Sequence, residues 1–455
     1  MPLEIRLGEL KERTCVRLEG TVDRLKGDVL TLVHDAGSGH CGGSLSLVRS
    51  LLLYYSTVHD EGRAGPHLSK GHAVPAVYAL GHRFGNITSE EMAFFREPDG
   101  LSGHADQRVQ DVPAGLLGQG GGVINGMSRV SEKKVYGFFG DGELDEGLLG
   151  ESFSTAAAEG LNVCYVIDHN GKNLTDGVNE TEFEVKIRSI EALGVKVIEV
   201  LGDEEGLTRA YRQAEEIDGP VAIVYESKKG EGISFMEEHK NGWHGKGLSS
   251  DDYRTAMLEL DLIPFSFREE ERVTLVSEPV EQAIQRLQEQ GYGQKREPTR
   301  NANQLLLELD DGEMGVITAD IRSSTGMKKG FVKKFGPRFI DVGIREGEAM
   351  GEAIGIASQG YRAVVSTFDA FLSYLAQGIK IADKGSLPVK LFMTHAEFVG
   401  ADGPTHTAIE NVGYMRGFPN FKEIVNPADI RQAEQAVRYC LGTENPSYLR
   451  LRRPH

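Results

Sequence analysis

Long apolar runs are missing from this sequence, and so is any excess of positive charge. No stretch of about eighteen apolar residues occurs in the 455-residue chain, so a hydropathy-type membrane helix is not expected. The N-terminal M-P-L-E-I-R has no apolar core of a secretory signal. Cysteine is scarce: Cys15, Cys41, Cys164 and Cys440 are scattered and show no CxxC spacing. They read as reduced thiols rather than a disulfide or zinc framework. Lys and Arg total 50 against 68 Asp and Glu, a net charge of −18. That balance argues against nucleic acid or an anionic membrane as partner, since both need clustered Lys and Arg. It leaves phosphorylated substrates open, because a few local basic groups suffice. A soluble, cytoplasmic protein is the expectation.

What is present is glycine, 56 residues of it, and a 40% hydrophobic content large enough for two or three domains. The densest information lies between Val135 and Gly177. Val135–Phe139 suits a buried parallel strand, Glu143–Glu159 a helix, and Val163–Ile167 a second buried strand. Gly140-Asp141-Gly142 closes the first strand and Asp168-His169-Asn170-Gly171 the second. In open parallel sheets, ligands bind outside these carboxyl ends. Asp141 and Asn170 supply hard oxygens that suit one Mg2+ or Ca2+, with phosphate oxygens completing the shell. A Gly-Asp-Gly by itself is weak, since glycine turns before helices are common.

Upstream, Val22, Leu25, Val29 and Leu32 are spaced as the apolar stripe of a helix over Thr21–His34, with Gly27 inside it. Three Gly-His pairs follow in Gly/Ser turns, at His40, His72 and His104, where glycine leaves room for a ligand beside an imidazole suited to proton transfer. A histidine in such a turn is more often a plain surface residue, but three are harder to set aside. Gly81-His82, at the end of an Ala/Leu run, reads as structural. Zinc is a rival use for the histidines, unsupported by any His-x-x-His or Cys/His cluster. The glycine-dense Asp111–Met127 is compatible with a phosphate cradle, a chain turn or tight packing. Downstream of Gly177, helix Ile187–Leu193, strand Val195–Val200, helix Glu204–Ile217 and strand Val221–Tyr225 continue the alternation of a doubly wound sheet. Residues 266–297 are highly charged and read as a linker between a first domain over 1–265 and a second over 298–455. The second domain opens with a helix from Asn301 and the strand M-G-V-I-T-A-D. There Phe368, Phe371 and Tyr374 recur every three residues, as a core face or as something more specific.

The GDG turn paired with Asn170 resembles the diphosphate-binding signature of thiamine-diphosphate enzymes. Read from Gly37 to Arg453, the motifs resemble those of the transketolase family. These include the three Gly-His pairs, G-L-L-G-Q-G (Gly115–Gly120), S-T-F-D-A-F-L-S-Y and D-G-P-T-H, in family order. The resemblance implies two doubly wound α/β domains, one for the cofactor diphosphate and one for its pyrimidine. It implies metal coordination by Asp141, Asn170 and the carbonyl of Lys172. Gly115, Leu117, Gly140, Gly142, Glu146, His244, Asp320, Phe368, Phe371 and Tyr374 would contact the cofactor, with the three aromatic rings holding its aminopyrimidine. His244 matches the family's His-Gly better than His239, a solvated loop residue. A glutamate would hydrogen-bond the pyrimidine nitrogen. Glu346 takes that place in a gap-free alignment, and Glu348 in one anchored on Met350. His395, Asp402 and His406 would line the donor-sugar site, and Arg300, Ser324 and Arg453 would hold a substrate phosphate. A histidine among His40, His72, His104 and His406 would move the hydroxyl proton.

The implied function is transfer of a two-carbon ketol unit from a ketose phosphate to an aldose, with the fragment held as an enamine on thiamine diphosphate. Sites shared between subunits imply a homodimer. Three departures stand out: C-G-G-S after His40 where many members have P-G-x-P, Leu116 in place of a proline, and one residue fewer between His395 and Asp402. The third domain usual in the family is not in this sequence, so truncation, natural absence or a separate third-domain chain are all open. The rival functions are a deoxyxylulose-phosphate synthase-like enzyme, a ketolase with an unusual donor, or a subunit of a split transketolase.

Overall fold

The computed structural model describes residues 18–60, 63–97, 100–106, 108–172, 177–239, 241, 243–268, 297–328, 330–397, 399 and 402–453. The chain divides into two units. The first is Met1–Phe267 with Ala401–Thr405, and the second is Arg268–Gly400 with His406–His455. The expected linker lies, over 269–296, outside the described residues.

In the first unit, α1 (Leu18–Asp35) and α2 (Cys41–Thr57) precede a two-residue strand β1 (His67–Leu68) and α3 (Val74–Arg83). Next come α4 (Gly120–Ser128), β2 (Val135–Gly140), α5 (Gly147–Glu159), β3 (Val163–His169) and α6 (Glu180–Ala192). The unit ends with β4 (Lys196–Leu201), α7 (Glu204–Glu216), β5 (Val221–Glu226) and α8 (Ser250–Glu259). The strands form one parallel sheet in the order β1-β2-β3-β5-β4. Strands β2 and β3 are buried almost throughout, which is why they read as unbroken apolar runs rather than alternating ones. The helices stop and start on side-chain chemistry. Asn179, Asp203 and Ser249 accept the N–H of the residue three further on at 3.3, 2.7 and 3.1 Å, capping α6, α7 and α8. The apolar stripe of α1 is buried as its spacing requires. Gly27, which the pattern alone marks as a weakness, has a packing reason: a Cβ there would come within 2.6 Å of Leu262 Cδ1.

Two helix boundaries in this unit differ from expectation. Helix α6 begins at Glu180, seven residues before the expected Ile187. The helix read from Glu143 begins at Gly147, because Asp141–Asp145 is a 3-10 turn and Glu146 is extended (φ −73°, ψ 123°). The side chain of Glu143 folds back onto the backbone N–H of Gly118 at 2.8 Å and of Gly140 at 3.3 Å, and tertiary ties override its helix propensity.

The second unit contains β6 (Met314–Thr318), β7 (Phe339–Asp341), α9 (Glu346–Ser358), β8 (Arg362–Val365), α10 (Ala376–Gly385), β9 (Val389–Met393), β10 (Glu423–Val425), α11 (Ile430–Leu441) and β11 (Ser447–Arg450). Its parallel sheet runs β10-β11-β9-β8-β6-β7. The helix expected from Asn301 is a 3-10 turn over Thr299–Leu305 followed by one α-turn, Leu306–Leu309. The strand expected through Asp320 stops at Thr318, and Asp320 takes a left-handed φ of 57°. Both units are thus doubly wound, parallel α/β structures.

Candidate active site

In the first unit, the carboxyl ends of β2 and β3 carry a chain of polar contacts. Asp141 Oδ2 accepts the backbone N–H of Asn170 at 2.9 Å and of Gly171 at 2.8 Å, and its Oδ1 accepts that of Gly142 at 2.8 Å. Lys172 N–H reaches Asn170 Oδ1 at 3.3 Å, and Lys229 Nζ donates to the Lys172 carbonyl at 2.9 Å. Asp141 Oδ1, Asn170 Oδ1 and the Lys172 oxygen each accept one bond here and retain a lone pair, which suits a hard divalent cation. Among the described residues, no group of three or more His, Cys, Asp or Glu side chains is set to hold a metal by itself.

Beneath this turn lies a buried centre that the sequence motifs do not reveal. Asp168 Oδ2 accepts Lys70 Nζ at 2.5 Å, Ser46 Oγ at 2.6 Å and Asn170 Nδ2 at 3.3 Å, while Ser227 donates to its Oδ1. Burial alone would raise the Asp168 carboxyl, but the Lys70 ammonium and its other donors hold it below its usual value. Asp141 is pushed up, by burial and by the negative charge of Asp168. Glu143, whose Oε1 also accepts from Ser69, ties the 67–73 segment, the glycine loop and the GDG turn together, and burial moves it up to about 7. Lys70, Glu143 and Asp168 lie within two residues of His72, Gly142 and Asn170 but find partners up to 98 residues away, so no local spacing marks them.

The histidines converge. The ring of His40 lies 5.4 Å from His72, 5.5 Å from His104 and 5.1 Å from His244, and His72 lies 5.1 Å from His244. Lys229 Nζ meets His244 Nδ1 at 2.9 Å, which links the cluster to the Asp141 turn through Lys172. Burial is the main cause that drives His72 and His244 well below the ordinary imidazole value, with neighbouring cationic groups adding to it, and takes His104 down to about 3. His72, His104 and His244 are therefore neutral near pH 7. By contrast, His239 is exposed, and the His82 ring meets Ser89 and Phe267.

The glycine loop packs closely. Gly118 has φ +83°, and a Cβ there would meet Glu146 Cβ at 2.6 Å. Gly120 would strike Ser69 Oγ at 2.2 Å, and Gly115 would strike Thr405 Oγ1 at 2.1 Å. Glu146 is buried and Leu117 half-buried beside this loop. Asp402 also falls in this unit, taking Arg96 Nη2 at 2.5 Å on its carboxylate and His104 Nδ1 at 2.9 Å on its carbonyl.

In the second unit, Phe368 precedes a 3-10 turn, Asp369–Leu375, that carries Phe371 and Tyr374. A three-residue turn aligns positions three apart, as the sequence spacing asks. The three rings are half-buried, whereas Leu372 and Leu375 fill the core, so the stripe is a wall rather than the packing face. Phe368 lies 5.3 Å from Phe371 and 3.9 Å from the His395 ring, and His406 sits 5.6 Å from Phe371. Arg300 Nη1 meets His395 Nε2 at 3.1 Å and the Ser324 carbonyl at 3.0 Å. Glu346, at the first position of α9, is buried, whereas Glu348 is exposed. Asp320 donates its N–H to Asp341 Oδ1 at 2.8 Å and is buried, and Arg453 is half-buried at the end of the described chain. His395 and His406 thus gather with the aromatic stripe, while Asp402 is counted with the other unit.

Two parallel α/β units with polar side chains at the carboxyl ends of their strands form a cofactor-binding class. Residues 20–295 match the family model described as "Transketolase, thiamine diphosphate binding domain", and residues 300–455 match "Transketolase, pyrimidine binding domain". These matches define a two-domain thiamine-diphosphate protein, and the chain belongs to the transketolase family. It is 28% identical over 471 residues to the transketolase of Homo sapiens, across 96% of this chain and 74% of that protein. Against transketolase-like protein 2 of Bos taurus it is 29% identical over 472 residues, with the same coverage. A 1-deoxy-D-xylulose-5-phosphate synthase of Oleidesulfovibrio alaskensis is 24% identical over 496 residues, covering 95% of this chain and 71% of that one. The solved transketolase of Leishmania mexicana shares the fold at TM-score 0.50 and 23% identity, over 96% of this chain and 77% of its own.

Proposed function

We propose that this chain is a transketolase that moves a two-carbon ketol unit from a ketose phosphate to an aldose phosphate, with thiamine diphosphate as cofactor and Mg2+ as the metal. The observation that carries the reading is the packing of four histidines, His40, His72, His104 and His244, beside the Asp141–Asn170 oxygen set. Proton acceptors and a cation seat side by side are what carbon–carbon cleavage next to a hydroxyl requires.

Asp141, Asn170 and the Lys172 carbonyl would hold the metal. Gly115, Gly140, Gly142, Glu146 and His244 would hold the cofactor's diphosphate end, Leu117 would lean on its thiazolium ring, Phe368, Phe371 and Tyr374 would hold its pyrimidine end, and Asp320 would lie near the cofactor. When bound, the cofactor supplies a carbon acid that stores an electron pair, the step no side chain here performs. The protein contributes placement and proton handling. The carboxyl of Glu346 would hold a proton against the pyrimidine ring nitrogen. One imidazole among His40, His72, His104 and His406 would take the substrate hydroxyl proton on its ring nitrogen. His395, Asp402 and His406 would orient the donor sugar, and Arg300, Ser324 and Arg453 would receive its phosphate, a task suited to the arginine fork.

The reading extends to a cytoplasmic homodimer working on sugar phosphates of the pentose phosphate pathway, with a diphosphate-binding domain over 1–265 and a pyrimidine domain over 298–455. A separate third-domain chain is a further possible partner. The test is to supply thiamine diphosphate, Mg2+, xylulose 5-phosphate and an aldose phosphate and to follow release of the three-carbon aldehyde. Turnover with pyruvate instead would point to the synthase reading, and cofactor binding with no turnover to a subunit that needs a partner. Light scattering with and without cofactor tests the dimer.

A further inference from the structure

We infer that Asp369 and Arg450 are positioning residues for the aromatic wall of the second unit, their buried ion pair fixing the turn that presents Phe368, Phe371 and Tyr374. The inference rests on reading that wall as the seat of the aminopyrimidine. Arg450 Nη2 meets Asp369 Oδ2 at 2.8 Å, with side-chain exposures of 3% and 0%. Arg450 Nε donates to the same oxygen at 2.9 Å, and Tyr448 OH donates to Asp369 Oδ1 at 2.5 Å.

Asp369 lies between the first two rings of the wall, and every polar group it owns is tied to a different piece of chain. Its N–H donates to the Thr394 carbonyl at 2.7 Å, next to His395, whose ring lies tilted against Phe368 at 3.9 Å. Its carbonyl accepts Asn411 Nδ2 at 2.6 Å. Its carboxylate is held by β11, whose Arg450 also donates to the carbonyl of Ala408, two residues beyond His406. One residue therefore sets the spacing of the aromatic turn, the His395 turn and the segment after His406.

Stability alone is a poor reason for such a pair. An apolar pair of similar volume holds a core as well or better, because both charges must be stripped of water. What the pair does that leucine cannot is fix a single arrangement, by directional bonds to three segments. The rings need that, since they are only half-buried and the core packing of Leu372 and Leu375 leaves their approach unspecified.

The test uses the full chain stripped of metal, titrated by calorimetry with thiamine diphosphate plus Mg2+ and, separately, with inorganic diphosphate plus Mg2+. Asp369→Asn and Arg450→Lys are expected to raise the Kd for thiamine diphosphate on the order of tenfold, the usual effect of losing a supporting contact. The Kd for inorganic diphosphate should stay unchanged. Asp369→Leu combined with Arg450→Met and Tyr448→Phe, which leaves no orphaned hydroxyl, should keep the urea midpoint and still lose affinity for thiamine diphosphate selectively. Equal weakening for both ligands would mean general damage and would overturn the positioning role. Unchanged affinity for thiamine diphosphate in folded variants would overturn it too. If the wild-type chain binds no thiamine diphosphate, the seat reading itself falls and the inference with it.

Discussion

Lys70 and Asp168 stand 98 residues apart in the chain and meet at 2.5 Å under the turn that carries Asp141 and Asn170. Both side chains are almost wholly buried. Removing one partner of such a pair leaves a charge with no water and no counter-charge, at a cost of roughly 3–5 kcal/mol. Lys70→Ala should therefore lower the urea midpoint sharply, and adding Asp168→Asn to it should recover part of the loss. An additive double mutant would show that the pair is not coupled.

Metal retention should follow Asp141. It is the only charged group of the proposed oxygen set, and three backbone N–H groups fix its orientation. Loss of a supporting contact typically costs 10–100-fold in metal affinity, so Asp141→Ala should cost on the order of 100-fold or more. Titration of the stripped protein with Mg2+ in the presence of cofactor checks this, and an unaltered Kd would move the metal elsewhere.

Glu346 and Glu348 part company in the structure, one buried at the start of α9 and the other exposed. Glu346→Gln keeps the shape and removes the acid. It should lower kcat by about 100-fold or more, the scale of a lost proton-transfer partner. Glu348→Gln should leave kcat as it was. Steady-state rates on xylulose 5-phosphate decide between them.

Stability should fall on acidification through the histidine cluster. His104 is held near 3 in the folded protein, against about 6.5 unfolded. The unfolded chain therefore takes up a proton below about pH 6.5 that the folded one refuses, and unfolding gains from it. The contribution is intact above about 6.5 and drains away between there and about 3, at up to about 1.4 kcal/mol per pH unit for each such histidine. Urea midpoints measured from pH 7.5 to 5 should decline, and His104→Asn should flatten the decline. A steeper profile in that variant would contradict the assignment.

The apolar runs of β2, β3 and β5 and the alternation around them were legible because burial on both faces of a parallel strand leaves a plain trace in the sequence. So was the three-residue spacing of the aromatic wall, which a 3-10 turn meets as readily as an α-helix. What stayed hidden was non-local. Glu143 does not open a helix because its side chain answers Ser69 and Gly118, and no propensity reports that. Lys70, Asp168, Asp369 and Arg450 are ordinary residues in sequence and acquire meaning only through partners tens of residues distant. Gly27 looked like a flaw and is a point of close packing.

Among the described residues, three of the four outermost strands in the two sheets are only two or three residues long: β1, β7 and β10. Strands that short offer a passing chain almost no rungs to pair with, which guards against self-association through backbone ladders. Only β4 presents a border of six residues, relieved by the exposed Lys196 and Glu199 but ending on an exposed Leu201. If the protein clumps when concentrated, that border is where the first stray strand will attach.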